Sequence, residues 1–411
     1  MKILQVNQYY YPRGGADKYF LDLVESLTYK GHRVAVFSMQ HPKNLESEWS
    51  KYFVSRISFN KPSLRDKFLT PGRVIYSLEA KRKFTKLLND FKPDIIHIHN
   101  IYHHLSPSIL DAAKKMNIPV VMHLHDYKLI CPNHMLFTKG KICTECQKHK
   151  YYKCVKNKCV KNSFPGSLLA ATEMYLHHNI LSIYEKNISA FIAPSQFIKN
   201  MAVNFGQDKN KISVIYNPHN LNPYFKNVKS ENIYGDYMLY FGRLSEEKGL
   251  KVLIEASSIS KQKILIAGGG PEETKLKKMA LDLKAPVEFI GLKNSDELIN
   301  IVSNSKAVII PSIWNENMPL SLMEALSLNK IVIASNIGGL PEIVKDEENG
   351  FLFEAGNSQD LGYKINLINT LSPEARKAIE ENAGQSGKQF SFEKNLKAII
   401  NVYNQVTKNR G

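Results

Sequence analysis

The sequence lacks several features that would decide its class at once. It has no run of about 18 apolar residues, so no helix is predicted to span a bilayer. The N-terminal stretch MKILQVNQYYYP has too short an apolar region for a secretory signal peptide, so we expect an intracellular protein. The GxGxxG spacing of dinucleotide-binding loops and the GK[ST] of P-loops are both missing, which excludes those two phosphate-binding motifs. No segment repeats with a period of about 20 to 50 residues, which argues against a solenoid.

Acidic residues are few relative to basic ones. The chain carries 38 Asp and Glu against 55 Lys and Arg, a formal net charge of +17. Residues 61–92 hold nine basic and three acidic side chains, and residues 139–161 hold eight lysines and one acid. Such stretches favour an anionic partner, a phospholipid headgroup or a phosphorylated substrate, and a lysine-rich protein without such a partner is the alternative. No nucleic-acid-binding motif accompanies the charge, so a nucleic-acid partner is not predicted.

Short runs rich in Val and Ile alternate with longer helical patterns along most of the chain. Because these runs do not alternate apolar with polar residues, they predict buried parallel strands covered by helices on both faces. The predicted strands are KILQV (2–6), RVAVFS (33–38), DIIHIH (94–99), PVVMHLH (119–125), AFIAP (190–194), KISVIYN (211–217), YMLYFGR (237–243), KILIAGGG (263–270), VEFIGL (287–292), AVIIPS (307–312) and IVIAS (331–335).

Eleven strands and 411 residues exceed what one sheet and one core ordinarily hold, so two doubly wound α/β domains are predicted. We assign residues 1–220 to the first domain, with a Cys-rich insertion at 131–160, and residues 221–390 to the second. The polar, Asn- and Pro-rich stretch near 217–235 is predicted to link them. Residues 391–411 are predicted to form a last amphipathic helix.

Ligands of doubly wound sheets bind outside the carboxyl ends of the strands, so the loops after each strand are the candidate site. Gly14 and Gly15 follow the first strand and would let backbone N–H groups approach an anion, although tight turns also use Gly-Gly. Gly242 and Arg243 follow YMLYF, with Lys248 at the start of the next helix. Arg offers a planar fork and Lys a point charge for phosphate; ordinary surface positions are the alternative.

Two glutamates follow the strand AVIIPS. Glu316 is predicted to lie in the loop and Glu324 on the second turn of a helix that Pro319 begins. A carboxylate beside phosphate would be repelled, so each glutamate is expected to bind hydroxyl groups of a ribose or a sugar. After PVVMHL, His125 lies at a strand end, where an imidazole can contact a substrate hydroxyl or serve only as a structural group.

Together these loops resemble the family-4 retaining glycosyltransferases, which have the GT-B architecture of two facing Rossmann-like domains. The resemblance is carried in order by Gly14-Gly15, DIIHIHN, PVVMHLHDYKLICP, APSQFIKN, YFGRLSEEKGL, IAGGGPEE, ENMPLSLMEAL and VIASNIGGLPEIV, over residues 1–355. The E-x7-E spacing and the GR-x4-KG spacing are specific for this resemblance when they occur together, and neither is specific alone. The usual phenylalanine-glycine after the first Glu is replaced here by Asn317-Met318-Pro319, which leaves the donor sugar open.

The resemblance implies a nucleotide-sugar donor held mostly by the second domain. Arg243 and Lys248 would bind its diphosphate, Glu324 its ribose, and Glu316 and His125 its sugar. The resemblance implies four catalytic residues: His125, Glu316, Arg243 and Lys248. The implied donor-binding positions are Gly14, Gly15, Gly242, Gly269, Leu292, Asn317, Met318, Pro319, Leu320 and Glu324. The last helix would cross back to the first domain, and the leaving phosphate would itself accept the proton of the acceptor.

The chain offers Arg, Lys and helix N-termini to a leaving diphosphate, and no Asp-x-Asp follows a strand. A metal-independent transfer, with no catalytic cofactor, is therefore the favoured hypothesis. We expect a UDP-sugar as donor and a lipid-linked or polysaccharide acceptor, met at the inner face of the cell membrane in surface-glycan synthesis. The alternatives are a soluble small-molecule acceptor and an inactive nucleotide-sugar-binding scaffold.

The five cysteines all lie between residues 131 and 159. Cys143 and Cys146 form a C-x2-C, and Cys154 and Cys159 follow, whereas Cys131 stands apart in the turn LICP. Four thiols of this kind can hold a structural zinc ion, and the alternatives are an iron–sulfur site and free thiols. We predict Cys143, Cys146, Cys154 and Cys159 as the zinc ligands.

Overall fold

The computed structural model describes residues 1–57, 64–218 and 235–408, without the side chains of residues 64–69. Most of the predicted link at 217–235 and part of the basic stretch 61–92 lie outside the described residues. The chain divides into two compact units. The first unit comprises Met1–Lys139, Cys143–Ile215 and Leu396–Gly411, and the second comprises Gly140–Ile142 and Tyr216–Asn395.

The first unit is built on a parallel sheet of six strands in the order β2-β1-β3-β4-β7-β8. Its strands are β1 (Lys2–Val6), β2 (Arg33–Phe37), β3 (Ile95–Ile98), β4 (Val120–His123), β5 (Phe137–Thr138), β7 (Ala190–Ala193) and β8 (Ile212–Val214). β5 forms a small hairpin with β6 (Lys141–Ile142), which belongs to the short segment Gly140–Ile142. Its helices are α1 (Gly15–Tyr29), α2 (Leu64–Tyr76), α3 (Leu78–Phe91), α4 (Ser108–Lys115), α5 (Tyr152–Asn157), α6 (Phe164–Tyr175), α7 (Ile183–Asn187) and α8 (Gln196–Asn204).

The second unit contains another six-stranded parallel sheet, in the order β11-β10-β9-β12-β13-β14. Its strands are β9 (Met238–Phe241), β10 (Ile264–Ala267), β11 (Val287–Gly291), β12 (Val308–Ile310), β13 (Val332–Ser335) and β14 (Phe351–Phe353). Its helices are α9 (Leu250–Ser260), α10 (Glu273–Asp282), α11 (Ser295–Ser303), α12 (Leu320–Ser327), α13 (Leu340–Ile343), α14 (Ser358–Asn369) and α15 (Pro373–Lys388). The final helix, α16, runs from Phe392 to Lys408 and joins the first unit from Leu396 onward.

Apolar residues bury both faces of the two sheets, as the non-alternating strands predict. In the second unit one core cluster contains Met238, Ile264 and Ile333, and another, separate cluster contains Leu239, Val308 and Val332. Because successive residues of a strand point to opposite faces, Met238 and Leu239 belong to the two different layers. The double coverage explains why these strands show no polar alternation.

The eleven predicted strands all form, and the fold class of two Rossmann-like parallel sheets is confirmed. The structure adds β14 and the hairpin β5–β6, which were not among the predicted strands. Helix α1 ends before Gly31, whose φ of +81° is the left-handed backbone that terminates many helices. In the described part of the chain no helix has the length and apolarity needed to cross a membrane.

Candidate active site

The second unit joins two predicted site residues directly. Lys248 ends a short 3-10 helix after β9, and Glu316 lies in the loop after β12. The Lys248 Nζ lies 2.6 Å from Glu316 Oε1, and the Glu316 side chain is only 5% exposed. Ser312 donates its hydroxyl to the same carboxylate oxygen. The Lys248 ammonium also lies 5.5 Å from the centre of the Trp314 ring. Strand order explains the meeting, since β9 and β12 are neighbours.

A glycine makes the close approach of these two loops feasible. Gly249 follows Lys248 and has a φ of +69°. A Cβ at this position would lie 1.8 Å from the carbonyl oxygen of Pro311, at the end of β12. Backbone N–H of Ile313 donates to the carbonyl of Glu247 over 3.0 Å. Any side chain at residue 249 would therefore push Lys248 away from the β12 loop that carries Glu316.

The glycine loop after β10 packs on the loop after β9. Gly268 has a φ of +145°, and a Cβ there would meet the carbonyl oxygen of Gly242 at 1.9 Å. A Cβ at Gly270 would meet the carbonyl oxygen of Leu244 at 2.2 Å. The Leu244 N–H donates to the carbonyl of Gly269 over 3.1 Å. The three glycines of IAGGGPEE therefore serve backbone-to-backbone contact between strand-end loops.

The loop that carries Glu316 is held by backbone contacts from the loop after β13. Gly339 donates its N–H to the Glu316 carbonyl over 2.7 Å. A Cβ at Gly338, whose φ is +62°, would lie 2.4 Å from the same carbonyl oxygen. The GG of SNIGGLPEIV thus fixes the backbone of Glu316, a role that the sequence-based reasoning did not assign.

Helix α12 places the second glutamate. Glu324 lies on its second turn and is partly buried, and Met318 before the helix is 3% exposed. Pro319 is the N-terminal cap, so Leu320 rather than Pro319 begins the helix. The Met318 carbonyl accepts a hydrogen bond of 3.0 Å from the Asn217 side chain, another contact that the sequence-based reasoning missed.

Arg243 and Leu292 present exposed side chains at strand ends of the same sheet. Arg243 follows β9, and its backbone carbonyl accepts a hydrogen bond from the Tyr240 hydroxyl. Leu292 follows β11 and is 84% exposed, which is unusual for a large apolar side chain. A Cβ at Gly269 would lie 3.8 Å from the Leu292 side chain, so the loops after β10 and β11 adjoin.

In the first unit, helix α1 begins at Gly15, and Gly14 is its N-terminal cap. No side chain caps the helix, so its first N–H groups are not occupied in that way. Asp17 lies in this first turn and accepts a 2.9 Å hydrogen bond from the Asn7 amide. Burial raises the pKa of the Asp17 carboxyl. The Asp17 carboxyl therefore lies at the N-terminus of α1, the helix end where Gly14 and Gly15 are predicted to bind an anion.

His125 follows β4 and contacts a second imidazole. Its Nε2 lies 2.7 Å from Nδ1 of His99, and Nε2 of His99 lies 3.0 Å from the Gln5 amide oxygen. Gln5 in turn donates its amide N–H to the Tyr403 hydroxyl over 3.1 Å. Burial lowers the pKa of His125 to about 3 and that of His99 well below its usual value, so both rings are neutral at pH 7.

Three imidazoles of this region also have the spacing of metal ligands. One nitrogen each of His97, His99 and His123 lies within 4.8 Å of the others, and all three side chains are buried. Both nitrogens of His99 already have hydrogen-bonding partners, and Nδ1 of His97 lies 2.6 Å from the Tyr403 hydroxyl. A metal ion would have to displace the hydrogen bonds of His99, so we do not assign one to this group.

The five cysteines converge on one small cavity of the first unit. Its volume is about 10 Å³, and its lining residues are Cys131, Pro132, Asn133, Leu136, Phe137, Thr138, Cys143, Cys146, Cys154 and Cys159. All five are free thiols, and Cys131, Cys146 and Cys154 are buried. A hydrogen bond between the side chains of Cys154 and Cys159 lowers the pKa of Cys159 to about 6 and raises that of Cys154. The structure thus brings Cys131, which the sequence-based assignment set apart, to the other four.

Sequence comparison places both units in one class of enzyme. The sequence model described as Glycosyltransferase Family 4 matches residues 13–222, more than half of the chain, and that described as Glycosyl transferases group 1 matches residues 225–386. The chain therefore belongs to glycosyltransferase family 4, and it is a glycosyltransferase of the group 1 type.

Three similar proteins illustrate the range of relatives. An uncharacterised 42.6 kDa protein from the cps region of Klebsiella pneumoniae is 28% identical over 86% of this chain and 90% of its own length. The Campylobacter jejuni N,N'-diacetylbacillosaminyl-diphospho-undecaprenol alpha-1,3-N-acetylgalactosaminyltransferase is 24% identical over 56% of this chain and 61% of its own length. The crystal structure of Anabaena HepE in complex with UDP matches with a TM-score of 0.67 and 20% identity, over 98% of this chain and 100% of that one. The structural match supports the GT-B fold.

Proposed function

We propose that this protein is a retaining, metal-independent glycosyltransferase that moves a sugar from a nucleotide diphosphate sugar, a UDP-sugar, to a lipid-linked or polysaccharide acceptor. The observation that carries the proposal is the contact of Lys248 with Glu316 at the carboxyl ends of β9 and β12. A cation and a carboxylate held side by side can bind the two chemically different halves of such a donor.

The charges of the donor fit the second unit. The diphosphate is an anion that gains negative charge as the sugar leaves, and Lys248 with the exposed Arg243 would stabilise it. Glu316, paired to Lys248 through one oxygen, has a second oxygen that would accept a hydrogen bond from a sugar hydroxyl. The pair thus orients the sugar against its own leaving group.

The rest of the nucleotide fits neighbouring strand ends. Glu324 on α12 would accept hydrogen bonds from the ribose hydroxyls, and exposed Leu292 would cover one face of the base. His125, Asn317 and Met318 would contact the donor sugar, and the backbone at Gly14-Gly15 the diphosphate. HepE binds UDP, which supports uridine as the base.

The proposed chemistry needs no resident base. The acceptor hydroxyl bonds to the anomeric carbon on the face from which the diphosphate departs, and the bond from that carbon to the phosphate oxygen breaks. The acceptor proton passes to the departing phosphate oxygen, so charge and atoms balance. The neutral His125 imidazole could hydrogen-bond a sugar hydroxyl, and its pKa of about 3 suits it poorly to serve as a strong base.

Surface-glycan synthesis is proposed as the setting. The Klebsiella relative is encoded in a cps region, and the name of the Campylobacter relative describes transfer to a diphospho-undecaprenol-linked sugar. The lysines of 139–161 would contact anionic lipid at the inner face of the cell membrane. Salt-sensitive binding to anionic liposomes supports this acceptor class, whereas its absence favours a soluble acceptor.

The test is a donor screen followed by two substitutions. We expect one nucleotide sugar to raise the melting temperature, because a ligand at 100 times its Kd stabilises by about 2.7 kcal/mol. With that donor, Arg243→Ala and Lys248→Ala should lower turnover by orders of magnitude. The control is Lys251→Ala, which removes an exposed lysine three residues along the chain. Undiminished transfer by both site variants would refute the assignment.

We also propose a structural zinc ion on Cys143, Cys146, Cys154 and Cys159. Support comes from the convergence of these thiols on a cavity with room for about one water-sized atom. Each of the four contributes a sulfur, and zinc takes four such ligands in structural sites. The ion would join the segment after the hairpin β5–β6, which carries Cys143 and Cys146, to α5 with Cys154 and the residues after it with Cys159.

A further inference from the structure

We infer that Tyr403, Gln5 and His99 form a directional hydrogen-bond chain that fixes the tautomer of His125, with the proton on Nε2. Tyr403 lies on α16 and Gln5 on β1, 398 residues apart in sequence, and His99 follows β3. The tautomer itself does not depend on the proposed function; its consequence for catalysis rests on His125 contacting the donor sugar.

Each member of the chain is buried and in hydrogen-bonding contact with the next. Tyr403, Gln5 and His99 have no exposed surface. The distances are 3.1 Å from Gln5 Nε2 to Tyr403 Oη, 3.0 Å from Gln5 Oε1 to His99 Nε2, and 2.7 Å from His99 Nδ1 to His125 Nε2. Buried polar groups need such partners, and the orientation of the Gln5 amide sets the order of donors and acceptors along the chain.

The amide of Gln5 gives the chain its direction. Its oxygen can only accept, so His99 must carry its proton on Nε2 and donate it. A neutral imidazole has one proton, so Nδ1 of His99 is an acceptor, and His125 must donate to it from Nε2. His125 is then left with an unprotonated Nδ1, which is a hydrogen-bond acceptor.

The other end of the chain is consistent with this direction. The Tyr403 oxygen accepts from the Gln5 amide, which leaves the Tyr403 hydroxyl proton for Nδ1 of His97 at 2.6 Å. In this arrangement the Tyr403 oxygen is the acceptor for the NH₂ group of Gln5. If the Gln5 amide were flipped, the donor and acceptor in each of the contacts from Gln5 to His99 and from His99 to His125 would be exchanged. The His125 proton would then lie on Nδ1.

This tautomer determines whether His125 donates or accepts the hydrogen bond in the proposed contact with the sugar. An unprotonated Nδ1 accepts a hydrogen bond from a sugar hydroxyl and cannot donate one to an ether or carbonyl oxygen. Gln5, His99 and Tyr403 are thus positioning residues that act through His125, and the last helix reaches the site through Tyr403.

The experiment is 15N NMR of the histidine rings in the full-length protein, with His125 assigned by its loss in His125→Gln. We expect His125 to show one tautomer, protonated at Nε2. In Tyr403→Phe and in Gln5→Met the anchor of the chain is lost, and signal from the Nδ1-protonated form should appear. Tyr184→Phe is the matched control, since it removes another fully buried hydroxyl of the first unit, outside the chain, and should change nothing.

Kinetics separate this inference from the proposed function. Tyr403→Phe should lower kcat roughly tenfold with little change in the KM of the donor, the scale of one hydrogen bond, and Tyr184→Phe should not. A wild-type His125 protonated at Nδ1, or an unchanged tautomer in both chain variants, would overturn the inference. If no donor is turned over by the wild type, the proposed function fails while the NMR result still decides the tautomer.

Discussion

Lys248 and Glu316 are bound to each other at 2.6 Å, although they lie 68 residues apart and follow different strands. The contact changes how the two residues must be understood. The sequence predicts separate roles, a phosphate contact for Lys248 and a sugar contact for Glu316, and the pair makes each role depend on the other. Removing either partner leaves a largely buried charge uncompensated, which is more costly than the loss of an exposed pair.

Replacing Glu316 and replacing Glu324 should affect different kinetic parameters. Glu316→Ala removes the partner of Lys248 and the proposed sugar contact, so we expect mainly a lower kcat. Glu324→Ala removes the proposed ribose contact, so we expect mainly a higher Kd and KM for the donor. Steady-state kinetics and calorimetric titration with the donor measure both parameters. If Glu324→Ala lowered kcat at unchanged donor affinity, the two assignments would have to be exchanged.

Gly249 should be far less tolerant of substitution than Gly356, another glycine with positive φ. Gly249→Ala would place a Cβ 1.8 Å from the Pro311 oxygen, whereas a Cβ at Gly356, with a φ of +87°, would have nothing within 4 Å. We expect Gly356→Ala to lower the free energy of unfolding by about 1 kcal/mol, and Gly249→Ala by several times more. Urea unfolding in a Trp49→Phe background lets Trp314 alone report on the second unit. Equal losses would mean that the β9 and β12 loops separate easily.

Local patterns in the sequence predicted the strands and their end loops, and through them the positions of Lys248, Glu316 and His125. They could not predict which loops meet. The pairing of Lys248 with Glu316 follows from β9 lying beside β12, and the Gln5 contact with Tyr403 joins opposite ends of the chain. Such non-local contacts leave no periodic signal. The one available hint was a polar Gln5 inside the apolar strand KILQV, where a buried amide requires a partner.

The stability of the first unit should fall as the pH falls below about 6.5, the ordinary pKa of histidine. Burial lowers the pKa of His97, His104 and His125 to about 3, and those of His99 and His123 well below the usual value. In this pH range the unfolded chain therefore binds protons that the folded chain does not. The stabilisation is fully present above pH 6.5 and is lost as the pH falls towards the folded pKa values, by about 1.4 kcal/mol per pH unit for each ring.

His123→Met tests this dependence because it removes one such ring. No hydrogen bond to either His123 nitrogen is present among the described residues, so the change sacrifices no observed contact of that kind. The slope of unfolding free energy between about pH 6 and pH 5 should fall by about 1.4 kcal/mol per pH unit. Urea unfolding in a Trp314→Phe background, with Trp49 as the reporter of the first unit, measures the slope; measurements at pH 8 give each variant's baseline. An unchanged slope would show that His123 is not held neutral.

Metal content will decide the role of the cysteine cavity. The proposed ligand set predicts about one equivalent of zinc in purified protein, lost in Cys146→Ser and in Cys154→Ser. Cys131→Ser is the matched control: Cys131 lines the same cavity, but its thiol donates to the Asn133 side-chain oxygen over 2.9 Å and lies outside the proposed set. Elemental analysis and thiol titration before and after chelation provide readouts that do not depend on activity. Less than about half an equivalent in the wild type would leave five free thiols, and loss of metal in Cys131→Ser would make Cys131 a ligand.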